Sequence, residues 1–180
     1  MIQPYSGSPH AGQTVTLRGW VVTTRSSGKI AFLVLRDVIF GDRRYFRELL
    51  NGSIEGIASN ILSDRLKKLL AAGILTKDEA ARGQRARYSL TEAGIQTLPI
   101  IFALGNWGLD WRTGTPELRT RQELMRAEGT PFIEELMDEL RVRHLGATPL
   151  KREGPGPLER LEAAYQAVAG GNAAPAEDEN

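Results

Sequence analysis

Apolar positions recur at helical spacing over residues 57–73, IASNILSDRLKKLLAAG, and this is the clearest element in the chain. Ile61, Leu62, Leu66, Leu69 and Leu70 form one stripe of 3.6-residue period, with Asn60, Ser63, Asp64, Lys67 and Ala71 opposite. Gly73 predicts the helix end, with Ile74 folding back onto Leu69. Downstream, ILTKD (74–78) and RARYSLT (85–91) predict two short strands around a hairpin with Gly83 at its tip. Thr91 is placed to cap the next helix, EAGIQTLPIIFALGNWGLDW, which Pro99 kinks or restarts. Two segments within 115–146 each open with Thr-Pro, a cap followed by proline at the first helical position. Residues 147–157 read as a linker and 158–170 as a weakly amphipathic helix. The acidic tail after them reads as disordered.

The pattern upstream is less decided. QTVTLRGWVVTT (13–24) is rich in Val and Thr and predicts a strand. Residues 30–40 are almost wholly apolar, interrupted only by Arg36 and Asp37, and such a run suits a buried strand or a buried helix. Gly41 is expected to stop a helix in the left-handed conformation and Asp42 to cap RRYFRELL (43–50), with NGSIEG (51–56) as a turn.

From 43 to 91 the order is short helix, tight turn, longer helix, two-stranded hairpin. That is the order of a winged helix-turn-helix, mainly α with a small β wing. Such a unit needs an apolar helix beneath its recognition helix, so 29–40 is expected to be helical. The expected organisation is an atypical N-terminal segment (1–27), a winged DNA-binding domain (28–112), C-terminal helices for dimerisation (113–146), and a linker, short helix and tail (147–180). In this reading Ser59, Asn60 and Ser63 face base edges from the first turns of the recognition helix, while Lys67 and Lys68 reach phosphate. Arg82, Arg85 and Arg87 on the hairpin approach the backbone or minor groove, and Arg43 and Arg44 clamp a phosphate. Arg65 falls inside the apolar stripe and suits a buried or rim salt bridge better than base reading. Asp64 needs Lys67 or Lys68 as a partner. Tyr88 and Leu90 alternate inward as core.

Charge sharpens this picture. Residues 43–87 hold ten Lys/Arg against five Asp/Glu, whereas 112–180 hold nine against thirteen. A basic middle beside an acidic C-terminal part suits a polyanion partner, although ordinary solvated helix faces account for such a bias equally well. The chain has no cysteine, so disulfides, thiolate metal sites and thiol redox chemistry are excluded. Its two histidines, His10 and His144, stand at opposite ends, which argues against a His-centred catalytic or metal site. RSSGK (25–29) is no phosphate loop, because Thr23 and Ile30 occupy the positions that require glycine and Ser/Thr. Neither an enzyme nor a cofactor is expected. The first eleven residues lack the charge and apolar core of a secretory signal, and no apolar run approaches a bilayer span, so a cytoplasmic protein is expected.

GIASNILSDRLKKLLAAGILTK, followed by RYSLTEAGIQTLPIIFALGNWG, resembles the HxlR family of bacterial transcriptional regulators. Residues 57–74, 88–94 and 107–108 match that family's recognition helix, its Y-x-L-T-x-x-G and its W-G. GKIAFLVLRDVIFGDRRYFRELL is similar to the preceding segment, and the resemblance spans about 28–145. It implies a homodimer, joined through helices flanking each winged unit, that binds double-stranded DNA at a two-fold operator, with an unidentified small-molecule effector as a further partner. Ile95, Leu98, Phe102, Trp107, Leu136 and Leu140 are expected to supply the dimer face, with core packing as the alternative. Two departures separate the chain from the family. Ile30 stands where the family has tryptophan, and GQTVTLRGWVVTTRSSGKIAFLVLRD replaces an N-terminal helix that often bears a sensory cysteine. Residues 13–37 instead resemble the first strands of the OB-fold anticodon-binding domain of asparaginyl- and aspartyl-tRNA synthetases, which places Arg25 and Phe32 at anticodon-contacting positions. The alternatives to a DNA-binding regulator are therefore an RNA-binding module or composite chain, and a helical interaction protein without DNA binding.

Overall fold

A computed structural model describes residues 27–53, 56–78, 84–149 and 151–171. The strand expected at 13–24, Arg25, Arg82, the hairpin tip at Gly83 and the acidic tail lie outside them. The ambiguous apolar run is a helix, α1 (Ser27–Gly41). Val34, Val38 and Ile39 on its inner side are fully buried, and they belong to one core with Leu62, Leu66 and Leu69. Asp37 is buried too, and it is neutralised by Arg36 at 3.1 Å and Arg43 at 3.3 Å. The stop after α1 differs from expectation. Asp42, with φ of 45°, takes the left-handed conformation, and Gly41 remains in the helix. A short polar side chain tolerates that conformation, so glycine is not required.

Helix α2 (Phe46–Asn51) begins later than the 43–50 pattern suggested. Arg44 and Tyr45 are held extended by the sheet: Tyr45 bridges Arg87, and the Tyr88 N–H donates to the Arg44 carbonyl at 2.8 Å. Asp42 therefore cannot cap α2. Glu48 caps it instead, its Oε2 accepting from the Arg44 and Tyr45 N–H groups at 3.0 and 3.2 Å. Helix α3 (Ser59–Ala71) follows and packs on α1 and α2. Its end is a Schellman turn, with Gly73 at φ 67° and the Ile74 N–H donating to the Leu69 carbonyl at 3.0 Å.

Strands β1 (Leu75–Lys77) and β2 (Tyr88–Leu90) form an antiparallel hairpin with Leu75 opposite Leu90. All three β2 residues are buried, because one face meets the core and the other meets the C-terminal helices. Thr91 caps α4 (Glu92–Ile95), its hydroxyl accepting from the Gly94 N–H at 3.0 Å. A side chain at Gly94 would run into the Ile74 carbonyl, so glycine lets α4 close onto the hairpin. Helix α5 (Leu98–Trp111) restarts with Pro99 in its first turn. Helix α6 (Pro116–Leu145) is broken at Gly129, where φ 70° and ψ −152° leave the helical region, and Pro131 opens the second half. The two Thr-Pro starts thus mark two helical halves. Phe132, Ile133, Leu136 and Leu140 bury the second half against the winged unit. Helix α7 (Pro157–Gly171) lies along α6, with Leu158 and Leu161 buried.

Candidate nucleic-acid interface

Helix α3 divides as its periodicity implies. Leu62, Leu66 and Leu69 are buried, while Ser59, Asn60, Lys67 and Lys68 are exposed and Ser63 is half-buried. Ala58 at the N-cap offers no side chain to the first backbone N–H groups, so these remain open to an incoming phosphate oxygen. Lys68 pairs with Asp64 at 3.1 Å, which offsets the one acidic group on the front. Lys67 carries no ion pair among the described residues. Arg65 is buried in the stripe and pairs with Asp64 at 3.2 Å, although its Nε finds no hydrogen-bond partner. Its burial keeps it off the exposed front of the helix.

The hairpin supplies cations beside this helix. Arg85 is exposed, and Arg87 is exposed with Asp78 at 3.3 Å. An exposed pair of that kind is weak and yields readily to a phosphate. Lys77 lies 5.9 Å from the Tyr88 ring centre, and both Tyr88 and Leu90 are core. Arg82 lies outside the described residues.

Arg43 and Arg44, expected to clamp a phosphate, are both engaged within the fold. Arg43 turns to Asp37 and packs over Gly52. Arg44 is only 8% exposed. Its guanidinium donates to the Tyr88 carbonyl at 3.1 Å, to the Arg143 carbonyl at 3.0 Å and to the Ser89 hydroxyl. Burial lowers its pKa, with the Arg87 charge acting the same way. Sequence charge could not reveal this, because an arginine preceding a helix looks the same whether it faces solvent or crosses to another element.

Beside Arg44, His144 Nδ1 accepts from the Leu90 N–H at 3.2 Å, so the end of α6 holds the hairpin twice. Burial, then the charges of Arg44, Arg143 and Arg87, push the His144 pKa from 6.5 down to about 4. A group depressed in this way stabilises the fold fully above pH 6.5, and the contribution is lost as pH falls from there towards 4. The thermal midpoint is therefore expected to drop between pH 7.5 and 5.5. His144→Gln, which keeps an acceptor but no titration, should flatten that drop. Parallel slopes for the two proteins in differential scanning fluorimetry would refute the assignment.

The HxlR-like helix-turn-helix family matches residues 26–115. The chain belongs to that family. An HTH-type transcriptional regulator of Synechocystis sp. is 34% identical over 84 residues, which are 46% of this HxlR-like chain and 61% of the regulator. The aspartate--tRNA(Asp/Asn) ligase of Mycobacterium sp. (strain KMS) is 29% identical over 165 residues, 88% of this chain but 22% of the ligase. The asparagine--tRNA ligase of Sorangium cellulosum is 63% identical over 30 residues, 17% of this chain and 7% of the ligase. The chain thus spans about a fifth of the aspartate ligases that it matches. No solved structure matches it. Among the described residues no helix is long and apolar enough to cross a membrane, and no cluster of three His, Asp or Glu is placed to hold a metal.

The apolar residues expected to join two HxlR-like chains divide differently. Ile95, Leu98, Leu136 and Leu140 are completely buried core, and Phe102 is partly buried against it. Trp107 is exposed, and it continues a stripe on α5 with Ile100, Leu104 and Trp111. The i, i+4, i+7, i+11 spacing of those four was readable in the sequence. What the sequence withheld is that the neighbouring stripe, Leu98 and Ile101, is the one turned to the core.

Proposed function

We propose that this chain is a cytoplasmic transcriptional regulator that binds double-stranded DNA sequence-specifically, as a homodimer on a two-fold operator. The observation that carries the reading is the front of α3. Asn60, Ser63 and Lys67 face outward on a helix whose back is buried, and the cationic hairpin follows directly through the Gly73 turn. A helix so mounted fits the major groove, and Arg85 and Arg87 then lie along the flanking backbone. The C-terminal helices, with the α5 stripe, supply the dimer face. The chemistry is recognition and not catalysis.

Duplex selection followed by titration tests this. Asn60→Ala is expected to lower affinity for the selected operator by roughly 1–3 kcal/mol while random duplex is barely affected. Arg85→Ala should weaken both and shallow the log-affinity against log-salt slope by about one unit. Enrichment of no duplex, or equal losses from both substitutions, removes the sequence-reading helix. The ligase similarities favour a second reading, RNA binding through the N-terminal part. Against it, Phe32 lies in helix α1 and not on a barrel strand. Preferential capture of an anticodon stem-loop over duplex would reinstate it.

A further inference from the structure

We propose that the cavity bounded by α1, α5, α6 and α7 is a binding site for a small amphipathic carboxylate, an apolar ring or chain with one acidic head. It is a half-open cavity of about 790 Å³, within the roughly 300–1,000 Å³ typical of small-molecule sites. Its apolar wall is drawn from four helices: Phe32 and Phe40, Ile101 and Leu109, Met125, and Tyr165.

Two glycines shape the α5 wall. At Gly105 a Cβ would strike the Gln122 side chain, so this glycine lets α6 approach. At Gly108 a Cβ would meet nothing within 4 Å. A glycine inside a helix costs about 1 kcal/mol relative to alanine, and no packing neighbour accounts for it at 108. Open cavity does.

Charge selects the head group. Six arginines and four carboxylates line the site. Asp37 is held by Arg36 and Arg43, Asp42 meets Arg143 at 3.7 Å, and Glu162 pairs with Arg121. Arg112 has no carboxylate partner among the described residues and rests 5.2 Å from the Trp107 ring centre. Arg119, which donates to the Arg112 carbonyl at 3.3 Å, approaches Glu123 only at 3.6 Å. Glu159, at the start of α7, carries no ion pair among the described residues, so the lining keeps an excess of two positive charges, and Arg112 at the end of α5 is its cation without a carboxylate. A neutral apolar ligand would leave it unmatched, and a carboxylate matches it.

The site touches α1 through Phe32 and Phe40, which pack against the core, and Val34 and Val38 of the same helix share that core with Leu62 and Leu66 of α3. A bound ligand therefore bears on the recognition helix through α1. This coupling rests on the DNA-binding reading, whereas ligand binding itself does not.

The test uses the full-length chain and 8-anilinonaphthalene-1-sulfonate, a ring system with one anionic head, beside the uncharged N-phenyl-1-naphthylamine. Saturable binding of one anionic probe per chain is expected. Gly108→Leu, whose Cβ meets nothing within 4 Å, puts its side chain into the dent and should reduce that binding more than tenfold while thermal unfolding stays cooperative. Arg112→Gln, at an exposed position, should weaken the anionic probe about five- to tenfold and leave the uncharged one unchanged. Displacement by dodecanoate identifies a chain as the apolar body, and displacement by 1-naphthoate a ring. Displacement by neither overturns the carboxylate assignment, as does an Arg112→Gln protein that binds both probes normally. No saturable binding, or normal binding by Gly108→Leu, overturns the site, and a second copy of the chain filling the cavity would give the first of these. A bound probe that leaves operator titrations unchanged overturns the coupling alone. Failure of every duplex to bind would remove the DNA reading and leave the site standing.

Discussion

If the chain dimerises through α5 as proposed, replacing Trp107 and Trp111 together with serine is expected to leave a monomer at micromolar concentration and to reduce operator affinity by roughly 10²- to 10⁴-fold. Ile100, Leu104, Trp107 and Trp111 are 70%, 49%, 47% and 71% exposed, and they share one face of α5. Proteins in water seldom leave four large apolar side chains in a continuous stripe without a partner surface. The partner assigned here is the same stripe on a second copy, which a two-fold axis would bring face to face. The fold of each protomer should survive, because Leu98 and Ile101 on the neighbouring face keep α5 docked in the core. The affinity loss follows from valency. A dimer seats its second recognition helix as an intramolecular step, and a monomer forfeits that effective concentration. Light scattering reads the assembly and mobility-shift titration reads the affinity. A serine variant that remains dimeric would place the interface elsewhere. A monomer with unchanged operator affinity would refute the two-fold operator.

Much of the winged unit was legible because its signals are local. Thr91 as a cap, Gly73 as a helix end and the two Thr-Pro starts each report a backbone requirement within a few residues. The 29–40 run was not local in that sense. Its helical state followed from what must lie beneath α3, and α1 satisfies that need with Val34, Val38 and Ile39. The start of α2 was not local either. In sequence, Asp42, Arg43 and Arg44 look like members of a helix start, but the hairpin more than forty residues on takes Arg44 and Tyr45 into its sheet. Only tertiary pairing could show that. The same limit applied to α5, where two adjacent apolar stripes are equally good candidates for the core until α6 is in place.

Arg44 carries the second large effect. Arg44→Met is expected to lower unfolding stability by about 3–5 kcal/mol, several times the effect of a surface arginine. Three acceptors converge on its guanidinium: the Tyr88 carbonyl, the Ser89 hydroxyl and the Arg143 carbonyl. Methionine fills much of the volume but leaves those groups without a donor in a place water reaches poorly, at about 1–3 kcal/mol for each acceptor left unsatisfied. Lysine cannot reproduce the planar fork and should recover only part of the loss. Arg43→Met is the contrast. Its partner Asp37 retains Arg36 at 3.1 Å, so the cost should stay near 1 kcal/mol. Denaturant titration measures both. The DNA readout distinguishes an anchor from a phosphate clamp. If Arg44 ties the hairpin to the end of α6, Arg44→Met protein held under folding conditions keeps the wild-type salt slope of DNA binding, because no phosphate charge is lost. A slope shallower by one unit, with stability unchanged in Arg44→Met, would return Arg44 to the phosphate backbone and break the physical link proposed between the dimer helices and the wing.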